Sequence, residues 1–176
     1  MILKIVLYGN PILSKISKPV DRKYPLEELI QNMYETLHAT KGVGLAAVQV
    51  GVPYRLFITD FTLENGEEFK EVFINPKIIR EWGNPITLVE GCLSFPGIAV
   101  EIKRKRNVEL SYEDIEGKHF TKIFTGIRAR IIQHEMDHVE GRYFIDNLDY
   151  VDRMSITDKI EKIKNRELSE VNYQVI

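Results

Sequence analysis

The architecture of this chain is set by one predicted helix, Gly126-Ile127-Arg128-Ala129-Arg130-Ile131-Ile132-Gln133-His134-Glu135-Met136-Asp137-His138-Val139. Its apolar residues occur on more than one side of the helix, which is typical of a helix enclosed by a core. The helix is predicted to open at Thr125-Gly126 and to end before Gly141, a residue type common just after helix C-termini. We therefore expect the other elements to pack around it.

Helical spacing also occurs towards both ends of the chain. Apolar residues within 26–37 recur every three or four positions, and Pro25 suits the first turn of such a helix. Towards the C-terminus, isoleucines at helical spacing within 156–163 follow Ser155–Asp158, which resembles a capping box. One helix is expected in each place.

The middle of the chain predicts a series of short strands. Apolar and β-branched segments occupy residues 55–59, 61–63, 72–74 with an extension at 78–79, 86–89, 98–102, 108–112 and 119–124. Asn65-Gly66 is a turn signal, and Glu113–Gly117 has hairpin length. Gly42–Gly51 contains too many glycines for a helix and too many small residues for a good strand, so it predicts a tight backbone segment. The expected fold class is α+β, with antiparallel strands packed around the central helix and a helix near each end.

Length and composition limit the class of protein. With 176 residues and a formal charge of -2, we expect one domain over 1–176, of which about 150–176 form the C-terminal helix and tail. No stretch has the length of a membrane helix or the pattern of a signal peptide, so the cytoplasm is the expected location. One cysteine cannot form an internal disulfide. The basic run Lys103–Arg106 is typical of a solvated strand edge, and specific nucleic-acid binding is not predicted.

The sharpest chemical signal is His134-Glu135-Met136-Asp137-His138, an H-E-x-x-H sequence inside the central helix. Residues four apart lie one above the other on a helix, so both imidazoles can reach one metal ion. Glu135 then lies beside the ion without binding it, where a carboxylate can take a proton from water. The competing interpretation, surface residues on an amphipathic helix, fits poorly with the apolar residues on several sides.

A catalytic metal site needs a third protein ligand. Cys92 is the better candidate, because it follows a predicted strand and has Gly91 beside it. His119 and His38 are more typical of structural or surface histidines. A single cytoplasmic cysteine is most often a small buried hydrophobe, so composition alone does not assign Cys92 to the site.

Three separated motifs resemble bacterial peptide deformylase, which removes the formyl group from the N-terminal methionine of new polypeptides. The motifs are Gly42-Val43-Gly44-Leu45-Ala46-Ala47-Val48-Gln49, Glu90-Gly91-Cys92-Leu93-Ser94 and Gln133-His134-Glu135-Met136-Asp137-His138. Their order and approximate spacing are those of the family. Two positions depart from it. Val48 stands where many members have proline, and Gly97-Ile98-Ala99 lacks an arginine that some members have near the substrate backbone.

The resemblance implies a role for each matching residue. Metal ligands would be Cys92, His134 and His138. Catalytic residues would be Glu135 as the general acid/base, with the Gln49 side chain and the Leu93 backbone N–H holding the developing oxyanion. Substrate-binding residues would be Val43, Gly44, Gly91, Ile127 and the stem of Arg130. Asp137 would pair with Arg104.

The resemblance further implies one divalent ion per chain, with Fe²⁺ as the physiological metal and Zn²⁺, Ni²⁺ or Co²⁺ also suited to a Cys/His/His donor set. The expected partners are formyl-methionyl nascent chains, and a transient ribosome contact is left open. Two other functions compete with deformylation. One is an H-E-x-x-H metallopeptidase, which would release an amino acid rather than formate. The other is a structural zinc module, which would need a fourth protein ligand.

Overall fold

The computed structural model describes residues 1–167, which form an α+β arrangement of strands and helices. The strands are β1 (Gly44–Ala46), β2 (Leu56–Thr62), β3 (Glu68–Trp82), β4 (Ile86–Gly91), β5 (Ala99–Arg104), β6 (Asn107–Glu113) and β7 (His119–Thr125). The α-helices are α1 (Leu26–Thr40), α2 (Gly126–Val139), α3 (Tyr150–Ser155) and α4 (Thr157–Lys164). Three short 3-10 helices cover Pro11–Ser14, Ala47–Val50 and Phe144–Asn147. The predicted fold class is confirmed.

The strands form two separate antiparallel sheets. One has five strands in the order β1-β2-β3-β6-β7, and the other is the hairpin β4-β5. The predicted turn at Asn65-Gly66 joins β2 to β3. The predicted hairpin turn joins β6 to β7, and in it the Asp114 N–H donates a hydrogen bond to the Lys118 carbonyl. Every neighbouring pair of named strands is sequential along the chain except β3 and β6, between which the β4-β5 hairpin is inserted.

The five-stranded sheet separates two apolar clusters, because successive strand residues point to opposite faces. Ile58 of β2 belongs to the cluster that includes the buried face of α1, and its neighbour Phe57 belongs to the cluster that includes α2. Helix α2 contributes Ile132 and Met136 to that second cluster. Its opposite side faces the β4-β5 hairpin, to which Arg130 donates hydrogen bonds. The central helix therefore lies between the two sheets.

The C-terminal helix differs from the prediction. Instead of one helix there are two, α3 and α4, separated at Ile156, and no side chain caps α4. The predicted capping box is wrong, because the Ser155 hydroxyl donates to the Asp152 carbonyl at 2.6 Å rather than accepting from the next turn. The predicted isoleucines are nonetheless buried in the core. Residues 168–176 of the predicted helix and tail lie outside the described residues.

Strand β3 is longer than predicted, because it continues through Asn75-Pro76. Proline cannot donate to a strand ladder, and the register of β3 against β6 shifts between Ile74 and Lys77. Asn75 has a φ of +50° and accepts a hydrogen bond from the Val20 N–H, so the irregularity is supported from outside the sheet. The strand therefore passes through a bulge instead of ending.

The segment Gly42–Gly51 also contains regular structure that its composition does not predict. Its first part is β1, which pairs with β2, and its second part is the 3-10 helix Ala47–Val50. Gly51 follows in the left-handed conformation, with a φ of +83°. Small residues here allow a strand and a helical turn to follow each other directly.

Gly141, just beyond α2, generates a prediction about stability. It has a φ of +69°, and an added Cβ would lie 2.7 Å from the Ser14 carbonyl oxygen and 2.9 Å from the Lys15 carbonyl carbon. Gly141→Ala should lower the free energy of unfolding in urea by roughly 3 kcal/mol, from left-handed strain plus the clash. Gly66→Ala is the control, because it has a φ of +84° and nothing within 4 Å. It should cost about 1 kcal/mol; equal losses would contradict the clash.

Candidate metal centre

Helix α2 and the end of β4 bring together three side chains that could bind one metal ion, here called the metal-binding group. His134 and His138 are one turn apart on α2, and Cys92 follows β4 directly. One ligand atom from each lies within 4.8 Å of those of the other two, and Cys92 Sγ is 3.2 Å from His138 Nε2. Among residues 1–167, these three form the only group of three or more His, Cys, Asp or Glu side chains close enough together to hold one metal ion.

The two histidines differ in protonation, and only His138 is ready to bind a cation without losing a proton. Burial lowers the pKa of His138 well below its usual value, so its imidazole is neutral. Burial would also lower the pKa of His134, but hydrogen bonds to Cys92 and Glu90 outweigh it and raise the pKa to about 10. Because a proton and a metal ion compete for the same imidazole lone pair, cation binding would release the proton from His134. A thiol and two imidazoles are donors that divalent transition metals favour.

Glu90 holds His134 from the side away from the other ligands. Its Oε2 is 2.9 Å from His134 Nδ1, the arrangement that fixes the orientation of a metal-binding imidazole. Arg104 donates two hydrogen bonds to Glu90, at 2.7 and 3.0 Å, and Arg130 donates a third at 2.5 Å. Burial would raise the pKa of Glu90, but the hydrogen bonds from His134 and Arg104 outweigh it and lower the pKa to about 2. Glu90 is therefore a carboxylate.

Arg104 also pairs with Asp137, as predicted. Its Nη1 is 2.9 Å from Asp137 Oδ2, so one buried guanidinium connects β5 to both β4 and α2. Asp137 receives a second, longer hydrogen bond from Arg142 at 3.3 Å. The acid of the H-E-x-x-H sequence that does not face the metal-binding group is thus paired with two arginines, and it supports the helix.

Glu135 lies against β1 with little room around it. It is buried, and its Oε2 has no hydrogen-bond partner among the described residues. Burial raises the pKa of Glu135 to about 7. An added Cβ on Gly44 would lie 2.5 Å from Glu135 Oε1, so only glycine at this position lets the carboxylate lie here. Glu135 therefore presents a buried carboxyl oxygen without a partner among the described residues, at the wall of the adjacent cavity.

The Gln49 carboxamide is held in one orientation. Its Oε1 accepts a hydrogen bond from the Ala46 N–H at 2.9 Å, which leaves Nε2 as the end that faces the cysteine. That nitrogen is 3.4 Å from Cys92 Sγ and 3.2 Å from Ser94 Oγ. The 3-10 helix after β1 thus places an amide donor beside the metal-binding group.

A cavity of about 560 Å³ opens beside these groups. All five residues predicted to bind substrate line it, namely Val43, Gly44, Gly91, Ile127 and Arg130. The predicted ligands Cys92 and His134 and the predicted catalytic residues Gln49, Leu93 and Glu135 also line it. Sequence reasoning did not assign Glu90, Ser94 or Phe61, which also contribute to the site or its wall. Glu90 stands next to Gly91 in the second motif, and that adjacency was the available signal.

The two other histidines lie elsewhere. His38 lies in the last turn of α1 and pairs with Asp60 at 2.8 Å, and His119 is exposed on β7. Neither is within the group formed with Cys92, which agrees with their predicted structural or surface character.

Comparisons with known proteins identify relatives over most of the chain. A family model described as polypeptide deformylase matches residues 2–154. Among curated relatives, the peptide deformylase of Karelsulcia muelleri is 46% identical over 149 residues, which is 84% of this chain and 79% of the relative. The peptide deformylase of Christiangramia forsetii is 39% identical in an alignment that covers 99% of this chain and 95% of the relative.

Solved structures give the same result. Arabidopsis thaliana peptide deformylase 1B, in complex with an inhibitor, superimposes with a TM-score of 0.86 at 36% sequence identity. The match covers 94% of this chain and 92% of that one. Similarity at this level extends over the whole fold and includes both sheets and the helix between them.

The metal-binding group can be tested without any assay of activity. We expect one divalent ion per purified chain, measured by inductively coupled plasma mass spectrometry, and loss of that ion in His138→Ala, because two donors hold an ion far less firmly than three. His119→Ala is the matched control and should retain the full equivalent. Full occupancy in His138→Ala would contradict the assignment of this ligand.

Proposed function

The chain belongs to the polypeptide deformylase family, and from this membership we propose a metal-dependent hydrolase that removes the N-formyl group from formyl-methionyl polypeptides and releases formate. Members of this family are enzymes that hydrolyse the N-formyl amide, so the activity is inferred from family membership. The observation that carries the mechanism is the convergence of Cys92, His134, Glu135 and Gln49 at one wall of the cavity.

Cys92, His134 and His138 would hold one divalent ion. When bound, the ion would supply Lewis-acid activation of water and of the formyl carbonyl. We propose Fe²⁺ as the physiological metal, as the resemblance implies, while Zn²⁺, Ni²⁺ and Co²⁺ also suit the donors. A structural module with four protein ligands lacks support, because the group within the described residues has three members.

Glu135 would move the proton. Burial raises the pKa of Glu135, and a carboxyl group with a raised pKa is better suited to serve as base and then as acid. As a carboxylate it takes a proton from the attacking water, and as a carboxylic acid it returns that proton to the leaving amine nitrogen. We assign the transfer to Oε2, the oxygen that has no hydrogen-bond partner among the described residues.

Gln49 and Leu93 would stabilise the charge that develops on the formyl oxygen. The fixed orientation of Gln49 directs its Nε2 donor to this place, and Leu93 follows Cys92 at the same wall. Removing one preorganised amide donor from sites of this kind costs about 3–4 kcal/mol of transition-state stabilisation. Two such donors would account for a large share of the rate enhancement.

The peptide would bind along β1. That strand is the edge of the five-stranded sheet, next to the cavity, and a peptide can extend such an edge through backbone hydrogen bonds. The backbone of Gly42–Leu45 would supply these bonds on one side, and Gly91 of β4 would allow close approach on the other. The methionine side chain would then enter an apolar pocket formed by Val43, Ile127 and the stem of Arg130.

We propose the cytoplasm as the place of action, because formyl-methionyl nascent chains are made there. None of the helices described for residues 1–167 has the length and apolar character needed to cross a membrane. A transient contact with the ribosome would fit the substrate, whereas specific nucleic-acid binding is not proposed.

Glu135→Gln tests the proton transfer. The amide fills the same space and keeps the ion, but cannot accept a proton, so formate release from a formyl-Met peptide should fall by about 10²–10⁴ in kcat. Glu101→Gln, an exposed acid on β5, is the control and should be unchanged. A Glu135→Gln protein with full metal content and wild-type kcat would refute the assignment. Release of a free amino acid instead of formate would favour a metallopeptidase.

The apolar pocket predicts selectivity for the first residue. Burying a side chain of methionine size is worth roughly 1.5–3 kcal/mol, so formyl-Met peptides should exceed formyl-Ala peptides by about 10-fold or more in kcat/KM. Formyl-norleucine, which has the same length without sulfur, should react nearly as fast as formyl-methionine. Equal values for the methionine and alanine substrates would show that the pocket does not receive this side chain.

A further inference from the structure

We propose that Arg130 is a positioning residue that connects the side-chain pocket of the substrate to the metal ligand His134 through Glu90. The inference rests on the proposed function, because it assumes that the first side chain of the peptide lies against the stem of Arg130. It goes beyond a pocket-lining role, since it makes occupancy of the pocket influence the chemical step.

Arg130 reaches two places at once. Its side chain lines the cavity, yet the residue is only 6% exposed, because its guanidinium points away into the protein. Nη1 donates to Glu90 Oε1 at 2.5 Å and to the Ile102 carbonyl at 2.9 Å, and Nη2 donates to the Ile86 carbonyl. The aliphatic stem is therefore part of the pocket wall, and its end is fixed among buried acceptors.

Glu90 relays that position to the metal centre. One carboxylate oxygen accepts from Arg130 and the other is 2.9 Å from His134 Nδ1, so a displacement of the planar carboxylate moves both contacts. Arg130 and His134 are also four residues apart on α2, so they lie on one face of the helix. The path from the pocket wall to the ligand thus crosses three side chains, each in hydrogen-bond contact with the next.

Ion pairs between buried charges hold Arg130 and Glu90 in place. Arg104 is shared between Glu90 and Asp137, whereas Arg130 is paired with Glu90. All four side chains are buried, and removing one partner from such a group leaves an incompletely compensated charge that must find a new position. Loss of the Arg130 guanidinium would therefore let the Glu90 carboxylate shift towards Arg104 and rotate the His134 ring.

A filled pocket would restrict the Arg130 stem, and a short side chain such as alanine would leave space beside it. The first residue of the substrate should therefore affect kcat as well as KM, since binding energy from a remote group is used to hold the reacting geometry. A purely structural role, in which Arg130 only ties α2 to the β4-β5 hairpin, would affect stability and leave kcat unrelated to the first side chain.

The test is Arg130→Met in the metal-loaded enzyme, because methionine retains an unbranched apolar wall and removes the guanidinium. Arg128→Met is the matched control, since Arg128 is on the same helix but pairs with Glu67 instead of Glu90. With Co²⁺ as the bound metal, Arg130→Met should lose the ion to EDTA about 3–10 times faster than wild type and should alter the Co²⁺ absorption bands. Arg130→Lys, which keeps the charge, should recover part of both effects.

Steady-state kinetics supply the second readout. For a formyl-Met peptide, Arg130→Met should lower kcat by about 10-fold with KM within 2-fold of wild type. The wild-type kcat should be higher for formyl-Met than for formyl-Ala, and this difference should shrink in Arg130→Met. Arg128→Met should match wild type in every measurement.

Each result decides one question. Wild-type EDTA kinetics and spectra in Arg130→Met would overturn the inference, as would a wild-type enzyme in which methionine and alanine substrates differ in KM alone. The latter measurement needs no variant, so it decides the matter even if Arg130→Met does not fold. Absence of formate release by the wild-type enzyme from any formyl peptide would instead overturn the proposed function, while the EDTA measurement would still test the link from Arg130 to His134.

Discussion

The buried carboxylate of Glu90 must be neutralised, and the elements around the site are arranged to do so. Arg104 comes from β5, Arg130 and His134 come from α2, and Glu90 itself comes from β4. A buried ion pair gives little net stability, because desolvation offsets most of the attraction, but an incomplete pair is costly. The group therefore specifies position more than it adds stability. It fixes the β4-β5 hairpin against the helix, and Cys92 at the end of β4 then lies beside the histidines.

Much of the fold could be predicted because its decisive patterns are local. The spacing within α2 predicts a helix of the observed bounds, and the turn at Asn65-Gly66 predicts the β2-β3 connection. What failed depends on tertiary packing. The break between α3 and α4 occurs where Ile156 is buried in the core, and β3 continues past Pro76 because Asn75 is supported by the chain at Val20. Neither support is visible in a local pattern.

In the candidate site, too, some residues could be placed from local spacing and others only from the tertiary structure. Helical spacing predicts that His134 and His138 share a face and that Glu135 lies beside them, whereas Cys92 could be joined to them only through resemblance to a family. The guanidinium of Arg130 and the carboxylate of Glu90 could not be placed from sequence, because forty residues separate them and their pairing requires the hairpin to fold onto the helix. Long-range pairs between buried charges leave no periodicity to detect.

Helix α2 carries two of the candidate metal ligands and several residues of the cavity wall, and its rotation is set by the core. Ile132 and Met136 pack into the apolar cluster beneath the five-stranded sheet, while the residues on the other side, Ile127, Arg130 and His134, line the cavity. Successive residues of a helix differ by about 100° in direction. A rotation of the helix that relieved a packing defect at Ile132 would therefore displace both the cavity wall and His134. Because protein interiors are closely packed, such rotation is resisted by many contacts rather than by the site itself. The position of the candidate metal ligands on α2 therefore depends on apolar side chains that lie outside the cavity.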